Sequence, residues 1–257
     1  MRLTGFGRFL TAATVVSALS IPAAARAQKQ TENVDRTVAF PSGGTLVLKN
    51  FSGDVHITGT SGGDVVIKAT RKAEREQLDH IKLDISTSGS TVTINANKRD
   101  SGWEDHKNNV VETTFDIQVP SAAMLDVDVF SSDLDVKGVT GSQKLNTFSG
   151  TITVAGAKGA LRAKTFNAGI TIDATGAGGS PEINAETFSG NIKTRLSADA
   201  KGQVEFNSFS GSFDSDLPMT MHSSGKGKRN VSADLPGGSA NQTLHFKTFS
   251  GDVKVTK

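Results

Sequence analysis

The chain has 257 residues, with 28 Lys and Arg against 26 Asp and Glu, and no cysteine. Because no disulfide can form, the fold must depend on apolar burial and on backbone hydrogen bonds. The near balance of charges argues against nucleic acid and anionic membranes as partners, since neither would meet a large positive field.

Residues 1–27 have the composition of a secretory leader. Arg2 and Arg8 precede an apolar run over roughly residues 9–21, and Ala25-Arg26-Ala27 provides a cleavage site of the A-x-A type. The run is too short for a membrane span, and without cysteine there is no lipid anchor. We therefore predict a Sec-type signal peptide at 1–27 and one domain at 28–257, with 25 basic and 26 acidic residues, in the periplasm or at the cell surface.

The first part of the predicted domain alternates between strand patterns and turns. Residues 45–49 follow a Pro-Ser-Gly-Gly turn and begin the strands. Residues 71–80 contain strong helix formers and predict a short helix or charged excursion. Residues 81–85 and 91–95 alternate around a Thr-Ser-Gly-Ser turn, which predicts a hairpin. A further strand at 110–119 ends before Pro120.

A repeat then organises the chain. Its centre is Phe-Ser-Gly, or a close variant, followed in most copies by a small or acidic residue. The seven copies begin at Phe51, Phe130, Phe148, Phe166, Phe188, Phe209 and Phe249. Apolar residues recur five and three positions before the Phe and four positions after it, although Gln143 departs from the first of these columns. Each copy is therefore a strand, a tight corner and a second strand.

The spacing of the copies predicts the architecture. From Phe130 to Phe209 successive Phe residues lie 18, 18, 22 and 21 positions apart. A unit of about twenty residues is too short for a core of its own, and stacked units bury their apolar sides against one another. The sequence thus predicts an all-β, right-handed, single-stranded β-solenoid (β-helix), with an antiparallel sandwich or roll as the alternative. The pattern leaves two orientations of the Phe column open, an inward stacked ladder and an outward apolar stripe. We favour the inward one, because exposed apolar ladders promote aggregation.

Several ordered landmarks resemble a bacterial family of extracytoplasmic β-strand-repeat proteins, often called "putative adhesins". They are the charged segment after Ala69, the Trp103 loop, the strand end at residues 115–120, the repeats, and the closing segments at 225–229, 235–238 and 249–253. The resemblance covers essentially all of residues 28–257. It implies an exported β-solenoid with a role in adhesion or in the cell envelope, and it brings no catalytic residues.

Few motifs contain residues suited to catalysis or metal binding. Gly59-Thr60-Ser61-Gly62-Gly63 satisfies the G-x-S-x-G pattern, but a nucleophile elbow needs a helix after the Ser, and residues 64–67 predict a strand. The position three residues after each Phe holds Asp in only three of seven copies. We predict that these side chains bond to corner backbone groups and do not ligate calcium, and we predict no metal or other cofactor.

One loop combines aromatic, acidic and imidazole groups, namely Trp103, Glu104, Asp105 and His106. An exposed Trp beside acids can bind a sugar or a peptide, so this is the candidate partner-binding loop. The competing interpretation is a solvated loop whose Trp plugs one end of the solenoid.

The sequence favours a non-catalytic β-solenoid whose lateral face binds another protein or an envelope or surface polymer. The alternative is a polysaccharide-acting enzyme of the β-helix type, with its site at the Trp103 loop. A third possibility is end-to-end self-assembly through uncapped coils.

Overall fold

The computed structural model describes residues 28–103, 109–177, 182–224, 229–236 and 243–257, so the predicted signal peptide lies outside the described residues. The described chain begins with the elements β1 (Gln30–Ala39), β2 (Thr45–Ser52), β3 (Val55–Thr60), β4 (Asp64–Ala73), α1 (Arg75–His80), β5 (Ile81–Ser88), β6 (Thr91–Arg99) and β7 (Glu112–Pro120). The strands that follow are β8 (Met124–Ser131), β9 (Leu134–Lys137), β10 (Gln143–Thr147), β11 (Ile152–Ala155), β12 (Leu161–Thr165), β13 (Ile170–Asp173), β14 (Ile183–Ser189), β15 (Ile192–Arg195), β16 (Gln203–Ser210), β17 (Phe213–Ser215), β18 (Thr220–Ser224), β19 (Asn230–Asp234), β20 (Thr243–Ser250) and β21 (Val253–Thr256).

These strands form two long sheets, and the prediction of an all-β fold is confirmed. Among the described residues, sheet one has the order β1-β4-β7-β3-β9-β11-β13-β15-β21-β17. Sheet two has the order β18-β19-β16-β20-β14-β12-β10-β8-β2-β6-β5. From β8 to β17 each strand lies in the opposite sheet from the one before it, so each corner of the repeat connects sheet two to sheet one.

The stacking of equivalent residues that the repeat predicts is confirmed. In sheet one Ile152 lies opposite Ile170, and Ile170 lies opposite Ile192, all in parallel register. These side chains are fully buried between the sheets. Gln143, the polar exception in its column, is buried as well and donates its Nε2–H to the carbonyl of Val139 at 2.8 Å.

The stacking order departs from chain order at one end. The last repeat, β20 and β21, lies between the repeat that contains β14 and β15 and the repeat that contains β16 and β17. The cause is the β18–β19 hairpin, since β19 pairs antiparallel with β16 and occupies its outer edge. The inner edge of β16 is therefore left for β20.

Antiparallel pairs close the other end of the stack, so the solenoid is not uniformly parallel. Strands β1, β4 and β7 pair antiparallel in sheet one. In sheet two β5 and β6 form the predicted hairpin, with Ile85 opposite Ile94. The charged segment at 71–80 is helical only from Arg75 to His80, because residues 71–73 still belong to β4.

The corner glycines are required mainly because neighbouring coils approach closely. A Cβ at Gly150 would lie 2.0 Å from the carbonyl oxygen of Ser132, and one at Gly190 would lie 2.1 Å from that of Ala168. Only Gly53 and Gly251 among the corner glycines have a positive φ. Close approach is thus the common constraint, and conformational freedom is needed at two corners only.

Side chains three positions after the Phe bond to the neighbouring corner, as predicted. Oδ1 of Asp133 accepts from the backbone N–H of Thr151 at 2.7 Å. Oδ1 of Asp252 accepts from the hydroxyl and the backbone N–H of Ser212, both at 2.8 Å. These bonds, the one from the Ser212 hydroxyl above all, hold the pKa of Asp252 below its usual value.

We expect Gly150→Ala to lower the free energy of unfolding by about 2 kcal/mol, because the new methyl group must displace the adjacent coil. Gly63→Ala is the matched control, since a Cβ there has no heavy atom within 4 Å and its φ is not positive. Urea unfolding of both variants measures the difference. Equal stability of the two variants would contradict close approach as the reason for the corner glycine.

The depressed pKa of Asp252 gives a pH-dependent contribution to stability. A carboxylate whose pKa is lower in the folded state stabilises the fold above its unfolded pKa, and this stabilisation is lost as the pH falls through the folded pKa. We therefore expect wild type to exceed Asp252→Asn in unfolding free energy at pH 6, with the difference shrinking below about pH 4. Asp216→Asn is the control, because its exposed carboxylate has no hydrogen-bond or ion-pair partner in the described chain. A constant difference between pH 6 and pH 3 would contradict the assignment.

Candidate functional site

The Phe residues of the seven corners point outward, so the expectation that they point inward is wrong. Six are 40–44% exposed, and Phe209 is 66% exposed. The physical reason is strand alternation. The buried columns lie five, three and one positions before each Phe, so the Phe itself falls on the opposite face.

The seven rings form one continuous stack, here called the Phe ladder. Its order is Phe51, Phe130, Phe148, Phe166, Phe188, Phe249 and Phe209. Neighbouring centroids lie 4.6–5.0 Å apart with interplanar angles of 1–15°. The ladder is therefore roughly 29 Å long, as expected for seven strands at the usual strand spacing. Inside the ladder each ring face contacts another ring, and the ring edges face solvent.

Backbone bonds and a buried column of hydroxyl groups hold the rings in position. The backbone N–H of Phe148 donates to the carbonyl of Phe130 at 3.1 Å, and that of Phe166 to Phe148 at 3.2 Å. Directly before the rings, the hydroxyls of Thr147 and Thr165 donate to corner carbonyls at 3.1 and 3.0 Å. The ring positions are thus set by the same bonds that form the corner.

A groove runs beside the ladder along the outer face of sheet two, and we call it the ladder groove. Its volume is about 1200 Å³, and ladder rings from Phe130 onward line it. The charged residues of its lining are Asp128, Lys144, Arg162, Lys164, Glu186 and Lys247. Lys144 pairs with Asp126 at 3.1 Å and Lys164 with Glu186 at 2.9 Å. The groove therefore combines an apolar wall, formed by the rings, with charged lining residues of which more are basic than acidic.

The predicted partner-binding loop is described only at its first residue. Trp103 is 9% exposed and stacks on His80, with ring centroids 4.7 Å apart. It packs in a small cluster with Ala73, Ile81 and Val111. Glu104, Asp105 and His106 lie outside the described residues. Trp103 thus completes a satellite core, and a partner-binding role for the loop stays a prediction.

The remaining motifs show structural roles. The G-x-S-x-G segment connects β3 to β4, and the strand that follows it excludes a nucleophile elbow. Within the described ranges no group of three His, Cys, Asp or Glu residues could hold a metal ion. Asp173 has a lowered pKa, mainly because it accepts from the backbone N–H of Thr175. That hydrogen bond, like those at the corners, stabilises a turn.

The sequence contained the signal for the ladder but not for the groove. The inward columns on the strand before each corner have odd offsets from the Phe, which is sufficient to place the Phe on the outer face of that strand. The groove combines residues from eight strands, and their order in space follows from the stacking order of the coils. Arg162 gave no signal in the sequence, because its neighbours Lys144 and Asn184 are 18 and 22 positions away.

Three solved structures of low identity are similar to this chain over most of its length. A "putative cell adhesion protein" from Clostridium sporogenes has a TM-score of 0.51 and 10% identity, covering 88% of this chain and 99% of its own. A "putative adhesin" from Bacteroides fragilis has a TM-score of 0.31 and 12% identity, with 89% and 98% covered. A "putative lipid binding protein" from Parabacteroides distasonis has a TM-score of 0.34 and 9% identity, with 88% and 97% covered.

Three further findings bear on the family of this chain. Across the part of the chain that the structure describes, no helix has the length and apolar character to cross a membrane. A search of curated proteins found no match. The sequence profile of Toastrack DUF4097 matches residues 43–256, which include all seven repeats and every strand of the two sheets except β1. The chain therefore belongs to the Toastrack DUF4097 family.

Proposed function

We propose that this protein is a non-catalytic, exported β-solenoid that binds a protein or an envelope or surface polymer through the Phe ladder and the adjacent groove. The observation that supports the proposal is the continuous row of seven exposed rings. Such a row has no role in the core of the protein, because the side chains between the sheets are supplied by other columns.

The size of the apolar surface supports a binding role. A Phe side chain offers about 200 Å² of surface, so the exposed fractions of the seven rings correspond to roughly 600 Å². Monomeric proteins rarely expose a contiguous apolar patch larger than this, and patches of about 300–600 Å² are often functional. A partner that covers the ladder and the charged residues of the groove would bury roughly 800 Å² on this protein, the area per side of a standard interface.

The path of the chain and its destination are part of the proposal. Parallel strands joined by crossovers are nearly always right-handed, which supports right-handed coils of about twenty residues. The leader composition of residues 1–27 supports export to the periplasm or the cell surface. Exposed aromatic rungs suit a molecule that contacts many equivalent positions of its partner at once.

The corner carboxylates do not support the polysaccharide-cleaving alternative, whose predicted site, the Trp103 loop, is described only at Trp103. Such an enzyme needs two carboxyl groups about 5–10 Å apart that face one open site. The corner carboxylates of Asp133 and Asp252 bond to the neighbouring corners instead. The ring faces that could stack on a sugar are covered within the ladder.

Replacing two central rungs tests the proposal. We expect Phe148→Ser with Phe166→Ser to reduce retention of the purified protein by envelope fractions at least tenfold, because central apolar contacts dominate most interfaces. Co-sedimentation over a concentration series measures the retention, and circular dichroism confirms that the variant is folded.

The matched control is Met124→Ser. Met124 is 38% exposed on β8 but does not line the ladder groove. We expect this variant to be retained like wild type. Equal retention of the control and the double variant would contradict binding through the ladder, and hydrolysis of a glycan panel by the wild-type protein would contradict the non-catalytic assignment.

A further inference from the structure

The ladder groove has an excess of positive charge that the rest of the chain lacks. Four basic and two acidic residues line it, whereas residues 28–257 contain 25 basic and 26 acidic residues. A near-neutral protein thus has a local excess of cations beside the Phe ladder. Charge complementarity favours an occupant that is anionic as well as apolar.

One cation at the centre of the groove is uncompensated. Arg162 lies on β12, whose corner carries the fourth of the seven rings, Phe166. In the register of sheet two Arg162 is opposite Lys144, and Lys164 lies two positions further along the same face. Both lysines have acidic partners, but the guanidinium of Arg162 has no hydrogen-bond or ion-pair partner anywhere in the described ranges. A guanidinium whose neighbours across the strand and along it are two ammonium groups is suited to bind a carboxylate.

The apolar wall restricts the partner further. Strands β8, β10, β12, β14 and β20 are paired on both edges, so the floor of the groove offers no free backbone groups to an extended peptide. Flat stacking of sugars is excluded inside the ladder, since neighbouring rings cover one another. Identical ring edges suit a uniform chain of methylene groups, which needs no hydrogen bonds.

A second copy of the protein is a poorer occupant. Two ladder grooves brought face to face would each present four basic and two acidic residues, so like charges would be buried together. Desolvating unpaired charges of the same sign is unfavourable. The observations therefore favour a single-chain anionic amphiphile.

We propose that the ladder groove binds a fatty carboxylate, with the carboxylate at Arg162 and the acyl chain along the ring edges toward Phe209. This rests on the proposed function and names a ligand class for the same face. From Phe166 to Phe209 the three ring spacings of 4.7, 4.6 and 4.8 Å amount to about 14 Å. Arg162 lies four residues before Phe166, about 13 Å along the strand, and its side chain covers roughly half of that distance. At about 1.25 Å per carbon, roughly sixteen carbons therefore reach from Arg162 to Phe209.

Calorimetric titration of the purified protein with saturated fatty carboxylates of 8 to 18 carbons tests the proposal. We expect affinity to rise about two- to fourfold per methylene up to about sixteen carbons and then to level off. Arg162→Gln should weaken dodecanoate binding at least tenfold and change the binding of uncharged dodecanol less than twofold. Arg36→Gln is the matched control, because Arg36 is an exposed arginine on β1 of the other sheet.

Several outcomes would overturn the proposal. They are equal dodecanoate affinity in the two arginine variants, no binding of any carboxylate, binding only to anionic phospholipid vesicles, and self-association through the ladder in sedimentation velocity without ligand. Circular dichroism verifies folding, and Phe188→Ala, which should weaken dodecanoate and dodecanol alike, provides a second test. If carboxylates fail to bind while the double Phe variant still loses envelope retention, the ligand class is wrong and the proposed function stands.

Discussion

Hydrogen bonding between parallel strands is the constraint on which both the fold and the candidate site depend. It fixes the distance between coils at the usual strand spacing, and every residue type that recurs in the repeat is therefore repeated in space at that distance. The ring spacings of 4.6–5.0 Å follow from it, as does the backbone bond from Phe148 to Phe130. A column of Phe at successive corners becomes a stack without further design, because strand spacing is close to the distance at which aromatic rings pack.

The corner is where this constraint is strictest. The coils come so close there that the Cβ of any residue at Gly150 or Gly190 would overlap the preceding coil. A side chain just before the ring has to be small and must also satisfy a buried carbonyl, which explains the threonine column with its hydroxyl-to-carbonyl bonds. Bulk excluded from the inside of the corner is placed outside it, where the Phe has room. The exposed ladder is thus partly a consequence of tight stacking inside.

The sequence predicted the columns, the corners and the stack of Ile152, Ile170 and Ile192, because each depends on local alternation and on the repeat. It did not predict the place of the last repeat. Copies with interchangeable columns can stack in several orders at similar energy, and a hairpin that caps β16 decides among them. The expectation that the Phe residues point inward gave more weight to the general rule against exposed apolar groups than to the alternation of the strands. For Arg162, only the register of neighbouring coils reveals that it lacks an acidic partner.

The charges beside the ladder also explain how the protein can keep seven aromatic rings exposed. Stacking covers the ring faces, so only the ring edges are exposed. The basic residues Lys144, Arg162 and Lys164 line the groove beside these edges. When two copies meet through these surfaces, the same-sign charges oppose close contact, and an unpaired guanidinium would lose its hydration without gaining a counter-ion. A partner with an anionic group gains that contact instead. The basic residues that favour such a partner therefore also limit the aggregation that an apolar ladder would otherwise cause.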